Sequence, residues 1–194
     1  MAQHHIIYVP GLSDSRADGQ GLATKAWVLY GVKGHCLRMH WADGEPFAPK
    51  LQRLLDTIDE LAAAGHTVSL VGASAGASAV LQAFAARKDT VAGVVCICGK
   101  IQHPETVRDA VYAENPAFMQ AMKRLSTSLH SILPADRARI LSIHPRADNS
   151  VPPEDTIIEG AVEKTIPTSG HARSIFYALT VGAPTVVGFL KARG

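Results

Sequence analysis

The sequence has little cysteine: only three occur among its 194 residues. Three cysteines cannot all pair within one chain, so Cys36, Cys96 and Cys98 are predicted to be free thiols. Free thiols are typical of reducing compartments. The first residues also show no cationic stretch followed by an apolar one, the pattern of a secretory signal. We therefore expect a cytoplasmic protein.

The chain also lacks long apolar runs and an excess of charge of one sign. No run of about 18 apolar residues occurs, so no membrane-spanning helix is predicted. The 19 Lys and Arg residues nearly balance the 17 Asp and Glu residues, for a formal net charge of +2. Because basic residues form no run either, neither nucleic acid nor an anionic membrane is an expected partner.

Motifs for nucleotides and metals are missing as well. Gly19-Gln20-Gly21 is not followed by the third glycine of a dinucleotide-binding loop, and no phosphate-binding P-loop sequence occurs. The cysteines lack further ligands at zinc spacing. Cys96 and Cys98 are expected to point the same way from one strand, as core thiols. We expect no cofactor and no metal.

The sequence does contain short apolar runs that alternate with longer amphipathic ones. Predicted strands cover residues 5–9, 34–39, 67–72, 91–98, 139–144 and 162–167. Predicted helices cover residues 17–30, 49–64, 76–87 and 172–191, the last broken or kinked at Gly182 and Pro184. Such alternation predicts a mainly parallel sheet between two helical layers, an α/β three-layer sandwich. The length fits a single domain, residues 1–194.

Residues 99–136 interrupt this alternation and are predicted to form an inserted helical segment. Its later part places apolar side chains on one helical stripe, among them Phe118, Met119, Met122 and Leu125. Two interpretations stay open. The segment is either a lid whose stripe roofs a pocket, or a helix whose stripe packs on the core.

Gly72-Ala73-Ser74-Ala75-Gly76 matches the pattern G-x-S-x-G between a predicted strand and a predicted helix. In that setting a strained turn pushes the serine hydroxyl outward. The residues two positions before and after the serine must be small, because they are pressed against each other. The N–H groups at the start of the helix favour negative charge beside the serine. The alternative is a small-residue turn with a purely structural role.

With this motif the chain resembles the α/β-hydrolase family, as a short, core-only serine hydrolase or esterase. The resemblance implies an acid after the fifth strand and a histidine after the sixth. Asp148 and His171 occupy those places, in the chain order Ser74, Asp148, His171. The competing acids fit less well: Asp136 precedes the fifth strand, and Glu154 and Asp155 suit the first turn of a helix.

The family pattern also implies a sheet and an oxyanion hole. The sheet would have six strands in the order 2-1-3-4-5-6, and the first strand in the chain would carry the oxyanion loop. Backbone N–H groups of Leu12 and Ala75 would form the hole, with Ser13 as a further donor. The family often has His-Gly before the first donor, whereas this chain has Pro10-Gly11. The residues expected to bind substrate are Gly11, Ser13, Trp41, Cys98, Phe118 and Met122.

The functional hypothesis is a serine-dependent carboxylic ester hydrolase. Ser74 would attack a small-molecule ester or thioester and form an acyl-enzyme, with His171 as base and Asp148 orienting it. Two alternatives stay open: an interaction protein that keeps the fold without catalysis, and lyase or perhydrolase chemistry at the same serine. The sequence predicts no particular oligomeric state.

Overall fold

The computed structural model describes residues 2–194 and is built around one six-stranded sheet. The strands are β1 (His4–Val9), β2 (Val32–Cys36), β3 (Thr67–Ala73), β4 (Val91–Ile97), β5 (Ile140–Ala147) and β6 (Val162–Ser169). Their order is β2-β1-β3-β4-β5-β6, and the neighbouring strands pair in parallel. The predicted fold class and strand order are confirmed.

Helices connect these strands on both faces. They are α1 (Asp18–Lys25), α2 (Phe47–Ala63), α3 (Gly76–Ala86), α4 (Asp109–Glu114), α5 (Pro116–Ser131), α6 (Pro134–Arg137), α7 (His171–Leu179) and α8 (Ala183–Lys191). Short 3₁₀ turns cover Asp14–Arg16, Ala26–Tyr30, Pro104–Thr106 and Pro153–Thr156.

Two predicted elements have different boundaries for local reasons. The helix predicted over 17–30 changes at Ala26 to a 3₁₀ turn, which ends at Gly31 with φ +76°. The strand predicted over 34–39 ends at Cys36, and the chain then turns at His40, whose φ is +53°. The predicted break in the last helix is confirmed: Gly182 lies between α7 and α8, and Pro184 lies in the first turn of α8.

The sheet separates two hydrophobic cores because its central strands bury both faces. On β1, Ile7 and Val9 face the core formed with α2, α3 and α5. Ile6 and Tyr8 face the opposite core, formed with α7 and α8. Strands covered on both sides are nearly continuous in apolar residues, which is the pattern the sequence showed.

Cys96 and Cys98 lie on opposite faces of the sheet, contrary to the expectation that they point the same way. Cys96 belongs to the core with α3, and Cys98 to the core with α7. The reason is that Cys98 follows the last residue of β4 and has φ +48°, which reverses the alternation of side chains.

The inserted segment 99–136 consists of a 3₁₀ turn followed by α4, α5 and α6. The apolar stripe of α5 packs in the core with α3, and Phe118, Met122 and Leu125 are almost completely buried there. The structure thus places this stripe against the core. A mobile lid stays a prediction.

Within residues 2–194, no single helix has both the length and the apolar composition needed to cross a membrane. Only α7 and α8 taken together meet that test, and they are bent by 58° at their break.

Candidate active site

Ser74 lies in a sharp turn between β3 and α3 and has a left-handed backbone, with φ +52°. A non-glycine residue in this region is strained, and such strain clusters at functional sites. The turn requires the two motif glycines. A Cβ on Gly72 would lie 2.6 Å from the Gly76 carbonyl oxygen, and a Cβ on Gly76 would lie 2.1 Å from the carbonyl oxygen of Val9. Steric contact of backbones therefore explains why this motif needs glycine.

Asp148 and His171 form a hydrogen-bonded pair at the carboxyl end of the sheet. Nδ1 of His171 donates to Oδ2 of Asp148 at 2.7 Å. The other oxygen, Oδ1, accepts the backbone N–H groups of Ser150 at 2.8 Å and Val151 at 3.1 Å. The Asp148 side chain is completely buried, whereas 20% of the His171 side chain is exposed. The acid is thus held rigidly, and the base keeps one side open.

His171 begins α7 directly after Gly170, whose φ of +83° turns the chain from β6 into the helix. Its ring and the Ser74 side chain line the same cavity. In the described chain, residues 2–194, no direct hydrogen bond joins Ser74 to His171. Such contacts are often long in enzymes without substrate and shorten when substrate binds.

Two backbone N–H groups beside Ser74 are free to bind an anion. Leu12 and Ala75 both line the cavity, and neither donates its N–H to another group within residues 2–194. Gly11 permits their approach, since a Cβ at this position would lie 2.9 Å from the Ser74 Cβ. Unpaired N–H groups beside a nucleophile are the donors that an oxyanion hole needs.

The loop that carries Leu12 is held by residues that the sequence did not single out for this role. Nε1 of Trp41 donates to the Pro10 carbonyl at 3.3 Å. The buried Asp14 carboxylate accepts the backbone N–H of His40 at 2.5 Å. These contacts support a loop in which proline stands where the family often has histidine.

The cavity above Ser74 has a volume of about 630 Å³. Among the six residues expected to bind substrate, Gly11, Ser13 and Phe118 line it, whereas Trp41, Cys98 and Met122 do not. Trp41 is fully buried below the cavity and packs on Phe118 with ring centroids 6.0 Å apart. Met122 instead lines a separate groove, together with Ile101 and Ile158. Cys98 is fully buried behind Asp148 and His171.

A buried polar network at the cavity wall was missed from the sequence. Nζ of Lys100 forms an ion pair with Asp155 and donates to Oγ1 of Thr106 at 2.7 Å. Asp155 also accepts a hydrogen bond from Nδ1 of His103 at 2.5 Å. Lys100 and Asp155 are 5% and 3% exposed. The sequence offered one sign of this network, because Lys100 comes just after a strand that ends at the active-site edge of the sheet. Only the fold shows that its partner is Asp155.

The competing candidate groups make structural contacts. Asp136 pairs with Arg139 at 2.7 Å, just before β5 and away from Ser74. Glu154 and Asp155 lie in the first turn of a 3₁₀ segment, close to the predicted helical turn. His5 stacks on His35 and His66, at the amino-terminal end of the sheet.

Comparisons with known proteins agree on the fold. No protein-family model and no curated protein sequence matches this chain. Solved structures do match. One is a metagenome-derived lipolytic enzyme of the LipS and LipT study, with a TM-score of 0.71 and 12% identity over 98% of this chain and 94% of that one. Est1E from Butyrivibrio proteoclasticus has a TM-score of 0.71 and 16% identity, over 99% of this chain and 88% of Est1E.

A third match is the monoacylglycerol lipase of Paleococcus ferrophilus, with a TM-score of 0.65 and 14% identity over 100% of this chain and 97% of the lipase. Because the sequence identity is so low, these matches show a similarity of backbone fold over nearly the whole chain. Together with the strand order, it shows that this protein has the α/β-hydrolase fold, in the compact form predicted from the sequence.

Proposed function

We propose that this protein is a serine hydrolase that cleaves a carboxylic ester or thioester through an acyl-enzyme. The observation that carries the proposal is the 2.7 Å hydrogen bond between Asp148 and His171, next to a strained serine in one cavity. The similar solved structures include lipolytic enzymes and a monoacylglycerol lipase, which supports ester chemistry.

In the proposed mechanism, Nε2 of His171 takes the proton of the Ser74 hydroxyl as the oxygen attacks the acyl carbon. Asp148 keeps the proton on Nδ1, so that Nε2 is the basic nitrogen, and stabilises the imidazolium that forms. The N–H groups of Leu12 and Ala75 stabilise the oxyanion of the tetrahedral intermediate. His171 then protonates the leaving alcohol or thiol, and water attacks the acyl-enzyme by the same steps.

The cavity supports a small-molecule substrate with an apolar acyl part. Phe118, Val151 and Ile175 line it beside Ser74, and its polar wall is the Lys100–Asp155 pair, whose charges neutralise each other. Arg108, another cation that lines the cavity, is exposed to solvent. The three cysteines are all unpaired, which supports our proposal that the protein works in the cytoplasm.

An activity-based probe tests the nucleophile directly. A fluorophosphonate should label the wild-type protein and the control variant Ser15→Ala, because Ser15 is exposed outside the cavity. It should not label Ser74→Ala. Equal labelling of Ser74→Ala and wild type would rule out Ser74 as the nucleophile.

Kinetics on p-nitrophenyl esters from acetate to dodecanoate test the rest of the site. Asp148→Asn should lower kcat by about 10⁴, because the wrong histidine tautomer then predominates. The matched control Asp136→Asn should keep its activity, since Asp136 pairs with Arg139 away from the cavity. A folded wild-type protein that hydrolyses no ester or thioester would favour the interaction-protein alternative.

A further inference from the structure

A third metal-ligating side chain lies against the acid–base pair, and the proposed mechanism does not use it. The Cys98 Sγ, a carboxylate oxygen of Asp148 and a ring nitrogen of His171 all lie within 4.8 Å of one another. Cys98 is fully buried, and among residues 2–194 its thiol makes no hydrogen bond. The thiol is thus an unpartnered group aimed at the pair.

The backbone holds Cys98 in this position at an energetic cost. Its φ of +48° is left-handed, and its N–H donates to the Ile143 carbonyl at 2.8 Å, which fixes the residue between β4 and β5. This conformation places the Cys98 side chain on the face of the sheet opposite to Cys96, close to Asp148. A strained residue in such contact with functional groups merits a functional explanation.

We propose that Cys98, Asp148 and His171 bind Zn²⁺, and that the bound ion switches the enzyme off. Thiolate, imidazole and carboxylate are all zinc ligands, and three protein ligands plus one open position form a common zinc site. Zinc bonds of about 2.0–2.3 Å place tetrahedral ligands roughly 3.3–3.7 Å apart. From a cluster within 4.8 Å, side-chain movements of about 1 Å suffice.

The proton and charge balance explain the inhibition. The Cys98 thiol loses its proton to solvent as the Zn–S bond forms, and the thiolate and carboxylate together neutralise Zn²⁺. The ion binds one of the two ring nitrogens of His171, and binding at Nδ1 replaces the hydrogen bond to Asp148. If it binds Nδ1, the ring proton moves to Nε2, which can no longer accept the Ser74 proton; if it binds Nε2, it occupies the basic nitrogen itself. Either geometry removes the base.

A cation can reach the cluster through His171. This residue is the partly exposed member of the three, and its ring lines the cavity of about 630 Å³. Harder cations such as Mg²⁺ prefer oxygen ligands and should not bind here. Selectivity for Zn²⁺ over Mg²⁺ therefore follows from the thiol and the imidazole.

Binding is tested without any enzymatic readout. Cd²⁺ serves as a spectroscopic substitute for Zn²⁺, because a Cd²⁺–thiolate bond absorbs in the ultraviolet. The absorbance should appear with the wild type, with Ser74→Ala and with Cys36→Ser, a control that removes a different thiol. It should be absent with Cys98→Ser and much weaker with His171→Ala, a substitution at a partly exposed position that leaves the core packing unchanged. Equal absorbance in the wild type and both ligand variants would overturn the proposal.

Inhibition is tested next, and this part alone rests on the proposed hydrolase function. In chelator-free buffer, Zn²⁺ should inhibit ester hydrolysis by the wild type and by Cys36→Ser, and EDTA should reverse the inhibition, whereas Mg²⁺ should have no effect. Loss of a group that only hydrogen-bonds to a metal ligand already costs about 10–100-fold in metal affinity. Cys98→Ser removes a ligand itself, so it should raise the inhibitory Zn²⁺ concentration at least tenfold.

The outcomes separate the two proposals. Equal Zn²⁺ sensitivity of Cys98→Ser and wild type, each normalised to its own metal-free rate, would overturn the switch. If the protein hydrolyses no ester but Cys98-dependent Cd²⁺ absorbance is present, the metal site stands and the hydrolase proposal fails.

Discussion

The close contact between Gly11 and Ser74 allows a sharp test of the oxyanion hole. In Gly11→Ala, the new Cβ would lie 2.9 Å from the Ser74 Cβ, 3.3 Å from the Ala73 carbonyl oxygen and 3.4 Å from the Ser74 Oγ. Gly11 does not have a positive φ, so alanine adds no backbone strain of its own. The substitution therefore acts through this contact alone.

The size of the effect follows from the distances. Carbon atoms in contact prefer about 3.5–4.0 Å, so the loop must retreat from Ser74 by roughly 0.6–1 Å. Leu12 is the next residue and moves with the loop, while an oxyanion donor must lie about 2.7–3.1 Å from the oxyanion. Loss of one donor costs about 10²–10³ in kcat, so we expect kcat to fall about 10²-fold with little change in KM. Overpacking of this kind costs about 1–3 kcal/mol in stability.

The assay is steady-state hydrolysis of a p-nitrophenyl ester, combined with denaturant unfolding of each variant. Gly19→Ala is the matched control, because a Cβ at Gly19 meets no atom within 4 Å. It should keep full activity, and alanine in this helix should stabilise it by up to about 1 kcal/mol. A folded Gly11→Ala protein with unchanged kcat would refute the assignment of Leu12 as a donor.

Three further predictions concern stability. Gly76→Ala should prevent folding of the Ser74 turn, because its Cβ would lie 2.1 Å from the Val9 carbonyl oxygen; circular dichroism and solubility report this. Lys100→Met should lower the free energy of unfolding by about 3–5 kcal/mol in denaturant melts, because it leaves the buried Asp155 carboxylate without its main partner. Burial, with lesser contributions from neighbouring histidines and Lys33, lowers the pKa of His5 to about 4. The unfolded chain then binds the proton first, so stability is complete above pH 6.5 and falls by up to about 3 kcal/mol as the pH drops to 4.

Each of these predictions has its own control. Gly188→Ala should fold normally, since no atom lies within 4 Å of its added Cβ, and normal folding of Gly76→Ala would contradict the steric argument. Asp155→Asn in the Lys100→Met background should recover part of the lost stability, and no recovery would show that the charge was not the cause. His5→Leu should flatten the pH dependence, because it removes the titrating imidazole. It also removes Nε2 of His5, a buried atom without a hydrogen-bond partner within residues 2–194. An unchanged pH profile would place the titration elsewhere.

The alternation of strands and helices follows from local patterns in the sequence. The continuous apolar run 91–98 indicates a strand that is covered on both faces. Gly182 and Pro184 indicate a helix break, because glycine and proline disrupt a helix in any fold. The motif around Ser74 is equally local, because strand, turn and helix are contiguous in the chain. These features could be predicted because they depend on neighbours in sequence.

The contacts of the insertion and of the cavity wall were not predictable in this way. The stripe on α5 has the same spacing whether it roofs a pocket or packs on α3, and only the packing shows that Phe118 and Met122 are buried. Lys100 and Asp155 are 55 residues apart, and no periodicity links them. Trp41 was expected to bind substrate, but it lies under the loop and supports Pro10.

The sequence by itself determined the fold class, because local spacing carries that information. The resemblance of the Ser74 motif to the α/β-hydrolase family then supplied the expected strand order and the candidate positions Asp148 and His171. The tertiary structure alone decided which side chains meet. It joined Asp148 to His171 across 23 residues and paired Lys100 with Asp155. It also turned Cys98 toward the acid–base pair through one left-handed φ. Long-range contacts and single backbone angles depend on the whole packed chain, so no local pattern of residues reports them.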